Sequence, residues 1–125
     1  MKFDFNNNIP IYIQIVEQIK TDIVAGKFKP GERLPSVRDF ANESKVNPNT
    51  MQKALVELEE SGLVFTERTN GKFITHDTSL INFYKQKYAE ELTLTYLKRM
   101  YDIGYSLGEI SKQIEQLGGN KWIPY

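Results

Sequence analysis

The 125-residue chain contains no cysteine, so disulfides and thiolate metal sites are excluded. It has a single histidine, His76, and no His/Asp/Glu cluster with metal-ligand spacing. It lacks a glycine-rich phosphate loop, and Gly118-Gly119 reads as a helix stop. No catalytic residue, metal or cofactor is therefore expected, and an enzyme is disfavoured. No apolar run approaches the roughly 18 residues of a membrane span, and the start of the chain lacks the basic and apolar regions of a signal peptide. A cytoplasmic protein with no membrane partner is the expectation. Net charge is also missing: 16 Lys and Arg balance 16 Asp and Glu. Dividing the chain after His76 leaves 10 of each sign before the cut and 6 of each after it. Any field attractive to a polyanion must be local, around Arg33, Arg38, Lys45 and Lys53, with Arg68 and Lys72 further on.

Against these absences the chain holds strong local signals. Tyr12, Ile15, Val16, Ile19 and Ile23 fall at i, i+3, i+4, i+7 and i+11, an apolar helix face that begins near Pro10 and stops at Gly26. Residues 1–8 show no periodicity and read as a loosely docked lead-in. After a turn at Phe28-Lys29-Pro30-Gly31, Ser36 is placed to cap a second helix, with Asp39 three residues on and Val37, Phe40 and Ala41 on one face. Asn47-Pro48 starts a third, because Asn caps well and Pro suits a first helical position that needs no N–H. Its apolar stripe is Met51, Ala54, Leu55 and Leu58, and Gly62 ends it. Two β-prone runs then flank Asn70-Gly71, a hairpin signal in which that pair is expected to supply positive φ angles.

The third helix has a second face that its core stripe does not need. Asn49, Thr50, Gln52 and Lys53 cluster at its N-terminal end, while Glu57, Glu59 and Glu60 lie at the other. Amides, hydroxyls and ammonium groups read base edges and hold phosphates, and a helix-turn-helix offers the N-terminal end of its second helix to the major groove. The competing reading is an ordinary solvated face. Similarly, Asn70 and Lys72 at the hairpin tip suit a groove or phosphate contact, against a hairpin that only closes the core. Tyr12 is assigned to the core in preference to a phosphate.

The segments IPIYIQIVEQIKTDIVAGKFKPGERLPSVRDFA, VNPNTMQKALVELEESGLV and ERTNGKFI occur in order across roughly residues 9–74. In combination they resemble the GntR family of bacterial transcription regulators, and within it the short YtrA-like branch. The resemblance implies a winged helix-turn-helix in residues 1–76, acting as a homodimer on a palindromic operator in double-stranded DNA. By position it carries DNA contact onto Ser36, Arg38, Asn47, Asn49, Thr50 and Gln52, and the wing-tip role onto Gly71. Lys53, Asn70 and Lys72 join them from the residue reading. Many family members have Arg at the positions of Pro48 and Gln52, so the base preference differs here. The wing reads Thr69-Asn70-Gly71 instead of the common Gly-x-Gly.

Beyond the hairpin, Asp77-Thr78-Ser79 restarts helix, Gly104 breaks it, and Ser106-Leu107-Gly108-Glu109 is a capping box for a last helix carrying Ile110, Ile114 and Leu117. Residues 77–125 thus add two helices to a fold that is mainly α with a small β-hairpin. Phe83, Tyr84, Tyr88, Leu92, Tyr96, Leu97 and Met100 exceed what two helices can bury in each other, so a C2 dimer is expected to cover them. That expectation matches the two-helix dimerisation extension implied by the resemblance. A small-molecule effector among Phe83, Tyr84, Tyr88, Tyr96, Tyr101, Tyr105 and Trp122 is the competing use of the aromatics, and a dimer interface is its natural place. The functional expectation is a DNA-binding regulator, a repressor by preference. The alternative from another class is a winged-helix protein-interaction module, which neutral charge mildly favours.

Overall fold

The computed structural model describes residues 3–120. In chain order the elements are α1 (Ile11–Val24), α2 (Val37–Ser44), α3 (Pro48–Glu60), β1 (Val64–Glu67), β2 (Gly71–Ile74), α4 (Thr78–Asp102) and α5 (Leu107–Asn120). Two compact units divide inside α4, the first Met1–Lys85 and the second Gln86–Tyr125. The sequence-derived tail after the last helix, with Trp122, lies outside the described residues.

The first unit is built on the apolar stripes. Ile15, Val16, Ile19 and Ile23 of α1 meet Phe40 and Ala41 of α2 and Met51, Ala54, Leu55 and Leu58 of α3 in one buried cluster. Leu34, Leu63, Val64, Ile74 and Ile81 complete it. Burial of each Leu or Ile contributes about 1.5–3 kcal/mol, so the helical spacing read from sequence is what fixes this packing. The lead-in is bound more firmly than its lack of periodicity suggested. Gln14 accepts from the Asn6 N–H at 2.7 Å and donates to the carbonyls of Asn6 and Ile9 at 2.7 and 2.8 Å. Phe3 and Phe5 stack at 5.3 Å and pack against the core.

The hairpin pairs Val64 with Ile74 and Glu67 with Gly71, antiparallel. The Asn70 N–H donates to the Glu67 carbonyl at 3.2 Å, and Gly71 has φ +104. Asn70 does not take a positive φ, contrary to the expectation of an Asn-Gly pair in a two-residue turn. A three-residue loop closed by one left-handed glycine does the same work with a single Gly. Beside β2 runs an extended segment joined by a single β-bridge: Arg33 bridges Phe73, the Leu34 N–H donates to the Lys72 carbonyl, and the Ile74 N–H to the Glu32 carbonyl, both at 2.8 Å.

Asp77 opens α4, its Oδ1 accepting the Leu80 N–H at 3.0 Å. The start of α4 belongs to the first unit. Ile81 is in the core, and the Tyr84 hydroxyl donates to the Ser61 carbonyl at 3.0 Å. Ser106 and Glu109 form the reciprocal capping box, with Ser106 N–H to Glu109 Oε1 at 3.0 Å and Glu109 N–H to Ser106 Oγ at 3.2 Å. Hydrogen bonding from the Ser106 backbone N–H first, and then from the Ser106 hydroxyl, holds the Glu109 carboxyl below its ordinary pKa. The last helix then runs through Gly118-Gly119 to Asn120 where a stop was expected. Glycine costs a helix about 1 kcal/mol relative to alanine, and it ends one only where it takes a left-handed φ, which Gly118 does not.

Candidate nucleic-acid interface

The helix-turn-helix is set by three local devices. Ser36 Oγ accepts the Asp39 N–H at 3.1 Å at the start of α2. Lys45 closes α2 in the left-handed region, φ 58, which turns the chain sharply toward Asn47. Asn47 Oδ1 accepts the Asn49 N–H at 2.8 Å, and Pro48 occupies the first position of α3. The side-chain oxygen of Asn47 is therefore engaged in capping.

Packing then sorts the faces of α3. Met51, Ala54, Leu55 and Leu58 are fully buried, while Asn49, Gln52 and Lys53 are exposed and Thr50 is half-buried. Arg38 is exposed on α2 and, with Asn42, Lys45 and Pro48, lines an open groove of about 350 Å³ between the two helices. A polar, amide-rich helix end flanked by two cations can accept hydrogen bonds from, and donate them to, base edges and phosphates. Ser36, Arg38, Asn47, Asn49, Thr50, Gln52 and Lys53 thus fall on two adjoining helix starts.

One contact was not legible in the sequence. The Lys53 ammonium sits 4.0 Å from the centroid of the Tyr12 ring, a cation–π arrangement made by the packing of α1 on α3. Tyr12 is half-buried, so it serves the core and also fixes a cation on the polar face.

The wing departs from expectation at Lys72. Its ammonium is paired with the Glu59 carboxylate near the end of α3 and donates to Thr66 Oγ1 at 3.0 Å. Thr66 also donates to Glu59. Burial pushes the Glu59 carboxyl up, but the bonds from Lys72 and Thr66 and the Lys72 charge outweigh it, so the net shift is downward. Lys72 lies on the hairpin face turned to α3, and its side chain is only 15% exposed. It is not the free tip cation that the sequence suggested. Asn70 is exposed and donates to Glu67 at 3.0 Å, and Gly71 lies beside the Arg33 guanidinium.

Of the residues expected at a dimer surface, Phe83 and Leu92 are exposed, and Tyr88, Tyr96, Leu97 and Met100 are half-buried. Tyr84 is committed to the first unit by its bond to Ser61. Among the described residues no group of three or more His, Asp or Glu could hold a metal, and no helix is long and apolar enough to cross a membrane.

A helix-turn-helix with an exposed polar helix start, followed by a two-stranded wing, defines a winged helix-turn-helix DNA-binding protein. Residues 11–74 match the bacterial regulatory proteins of the gntR family, and the chain belongs to that family. It is 36% identical over 115 residues to the HTH-type transcriptional regulator YhcF of Bacillus subtilis (strain 168), covering 92% of this chain and 95% of that one. To the HTH-type transcriptional repressor YtrA of the same organism it is 33% identical over 122 residues, covering 96% and 93%. The fold of a GntR family transcriptional regulator from Listeria monocytogenes matches with a TM-score of 0.85 and 37% identity, over 90% of this chain and 98% of that one. The protein is a DNA-binding transcription regulator.

Proposed function

We propose that this regulator is a cytoplasmic homodimeric repressor that blocks a promoter by occupying a palindromic operator. The observation that carries the DNA side is the segregation of α3, a fully buried stripe beneath an exposed Asn49/Gln52/Lys53 face. Arg38 and Gln52 contact bases, and Asn49 and Thr50 divide between bases and phosphates. Ser36 and Lys53 hold the backbone, and the Asn70-Gly71 tip approaches the adjacent groove. Asn47 contributes through the cap that orients α3. The name of the similar YtrA supports repression as the output.

Dimerisation is supported by the apolar residues of the second unit that stay exposed, Leu92, Leu94, Ile103 and Ile114 among them. Two recognition helices about one DNA turn apart read a palindrome. A small-molecule effector binding at that interface would release the operator by changing the spacing of the two heads.

Fluorescence anisotropy of the full chain on DNA from upstream of its own gene, against a scrambled duplex at several salt concentrations, tests this reading. Saturable, selective binding by a dimer is expected, with log K falling by about 0.9 per log salt for each phosphate neutralised. If no duplex is selected even from fragmented genomic DNA, the operator reading fails and a protein-interaction role takes its place.

A further inference from the structure

The wing must meet a polyanion, yet the cation that its sequence offers on β2 is already neutralised. For Lys72 to reach a phosphate it would have to leave both Glu59 and Thr66 and swing off the inner face of the hairpin. The strand register offers a different cation. Arg33 lies opposite Phe73, and residues directly opposite each other in adjacent strands project to the same face. Two residues from Phe73, on that same face, is Gly71. An added Cβ there would lie 3.5 Å from Arg33 Nε and 3.6 Å from Nη2, so the guanidinium lies across the bare glycine at the wing tip. Arg33 is exposed, and none of the ion pairs among the described residues involves it. It also lies three residues before Ser36, on the segment joining the wing edge to the start of α2. Its place is therefore between the wing tip, assigned to the adjacent groove, and Ser36, assigned to the DNA backbone.

We infer that Arg33, and not Lys72, is a phosphate-binding cation of the wing, its guanidinium resting beside Gly71 at the tip. The inference rests on the operator reading above and extends it to a residue outside the helix-turn-helix. Arg33 neutralises one backbone phosphate beside the wing. Its contribution is sequence-independent, because a phosphate contact positions the protein without reading bases. Lys72 and Glu59 instead hold the hairpin against α3.

The test uses the full chain and a duplex that it recovers from a random-sequence pool. If the wild type recovers no selected duplex, the operator reading fails and this inference falls with it. On a recovered duplex, Arg33→Gln should reduce the salt slope of log K by about 0.9 and weaken selected and scrambled duplexes by the same factor, and Arg33→Lys should restore the slope. The double variant E59Q/K72Q removes the internal pair at constant net charge and should keep the wild-type slope. If Arg33→Gln keeps the wild-type slope while the wild type binds selectively, the assignment of Arg33 is overturned and the operator reading stands. A slope lost in E59Q/K72Q overturns the exclusion of Lys72. Should the double variant fail to fold, the comparison of Arg33→Gln with Arg33→Lys still decides.

Discussion

Lys45 is the one non-glycine residue with a positive φ among the described residues, and it sits where the helix-turn-helix bends. Glycine is the residue that takes this conformation without a steric penalty, so Lys45→Gly should stabilise the fold by about 1 kcal/mol. The same change removes a cation from the groove beside Arg38, so operator affinity should fall while the denaturation midpoint rises. Parallel urea titration and anisotropy would show the two effects moving in opposite directions; a loss of both would mean that the turn needs the lysine side chain. Tyr12 makes a second case. Tyr12→Leu should free Lys53 and weaken operator binding several-fold, on the scale of the roughly 0.5–1 kcal/mol of an exposed cation–π contact. Tyr12→Phe keeps the ring and should keep the affinity; equal binding by all three proteins would show that the ring does not position Lys53. The caps at Ser36 and Asn47 were legible because each is an exchange between residues two or three apart. The Tyr12–Lys53 contact was not, because it arises only when two helices distant in sequence pack.

At the scale of elements, the joint between α3 and the wing adds the Glu59–Lys72 ion pair to an apolar contact through Leu58, Val64 and Ile74. The Glu59 carboxyl is held below its ordinary value, so the folded state binds its proton less readily than the unfolded chain does. The stability it contributes is therefore present above the ordinary carboxylate range and is lost as pH falls through the depressed folded value. Glu59→Gln should lower the thermal midpoint near neutral pH, and the gap to wild type should close on acidification through that window. A gap independent of pH would mean that the pair contributes packing and not charge. The sequence placed the hairpin correctly but assigned Lys72 to its tip, since alternation along a strand does not say which face meets the helix. It likewise put a stop at Gly118-Gly119, where a glycine in helical φ only weakens α5. Hydrophobic period revealed which elements exist; side-chain pairing between elements had to be seen.

For the molecule as a whole, charge and exposure lead to one expectation. The 10 cations and 10 anions of residues 1–76 leave little net attraction for DNA, so one winged-helix head would hold a duplex only through its few local contacts. Two linked heads raise the effective concentration of the second at its half-site, and avidity of this kind can exceed a single affinity by about 10²–10⁴. The proposed dimer places that link in the second unit. Leu92 is 66% exposed and Ile114 is 54% exposed, and both are apolar positions that the helical spacing had already marked. A charged side chain at such a surface costs the isolated chain little but is buried without a partner in a dimer. Leu92→Glu combined with Ile114→Glu should therefore yield a folded monomer, seen by sedimentation velocity, with circular dichroism and thermal midpoint of the head unchanged. Selective operator binding should fall by two or more orders of magnitude, while contacts of a single head persist at low salt. A variant that stays dimeric would move the interface to another face, such as the exposed Ile9, Ile11 and Ile13 near the start of α1. A monomer with undiminished selectivity would remove the need for a palindrome, and each head would then have to read its site alone.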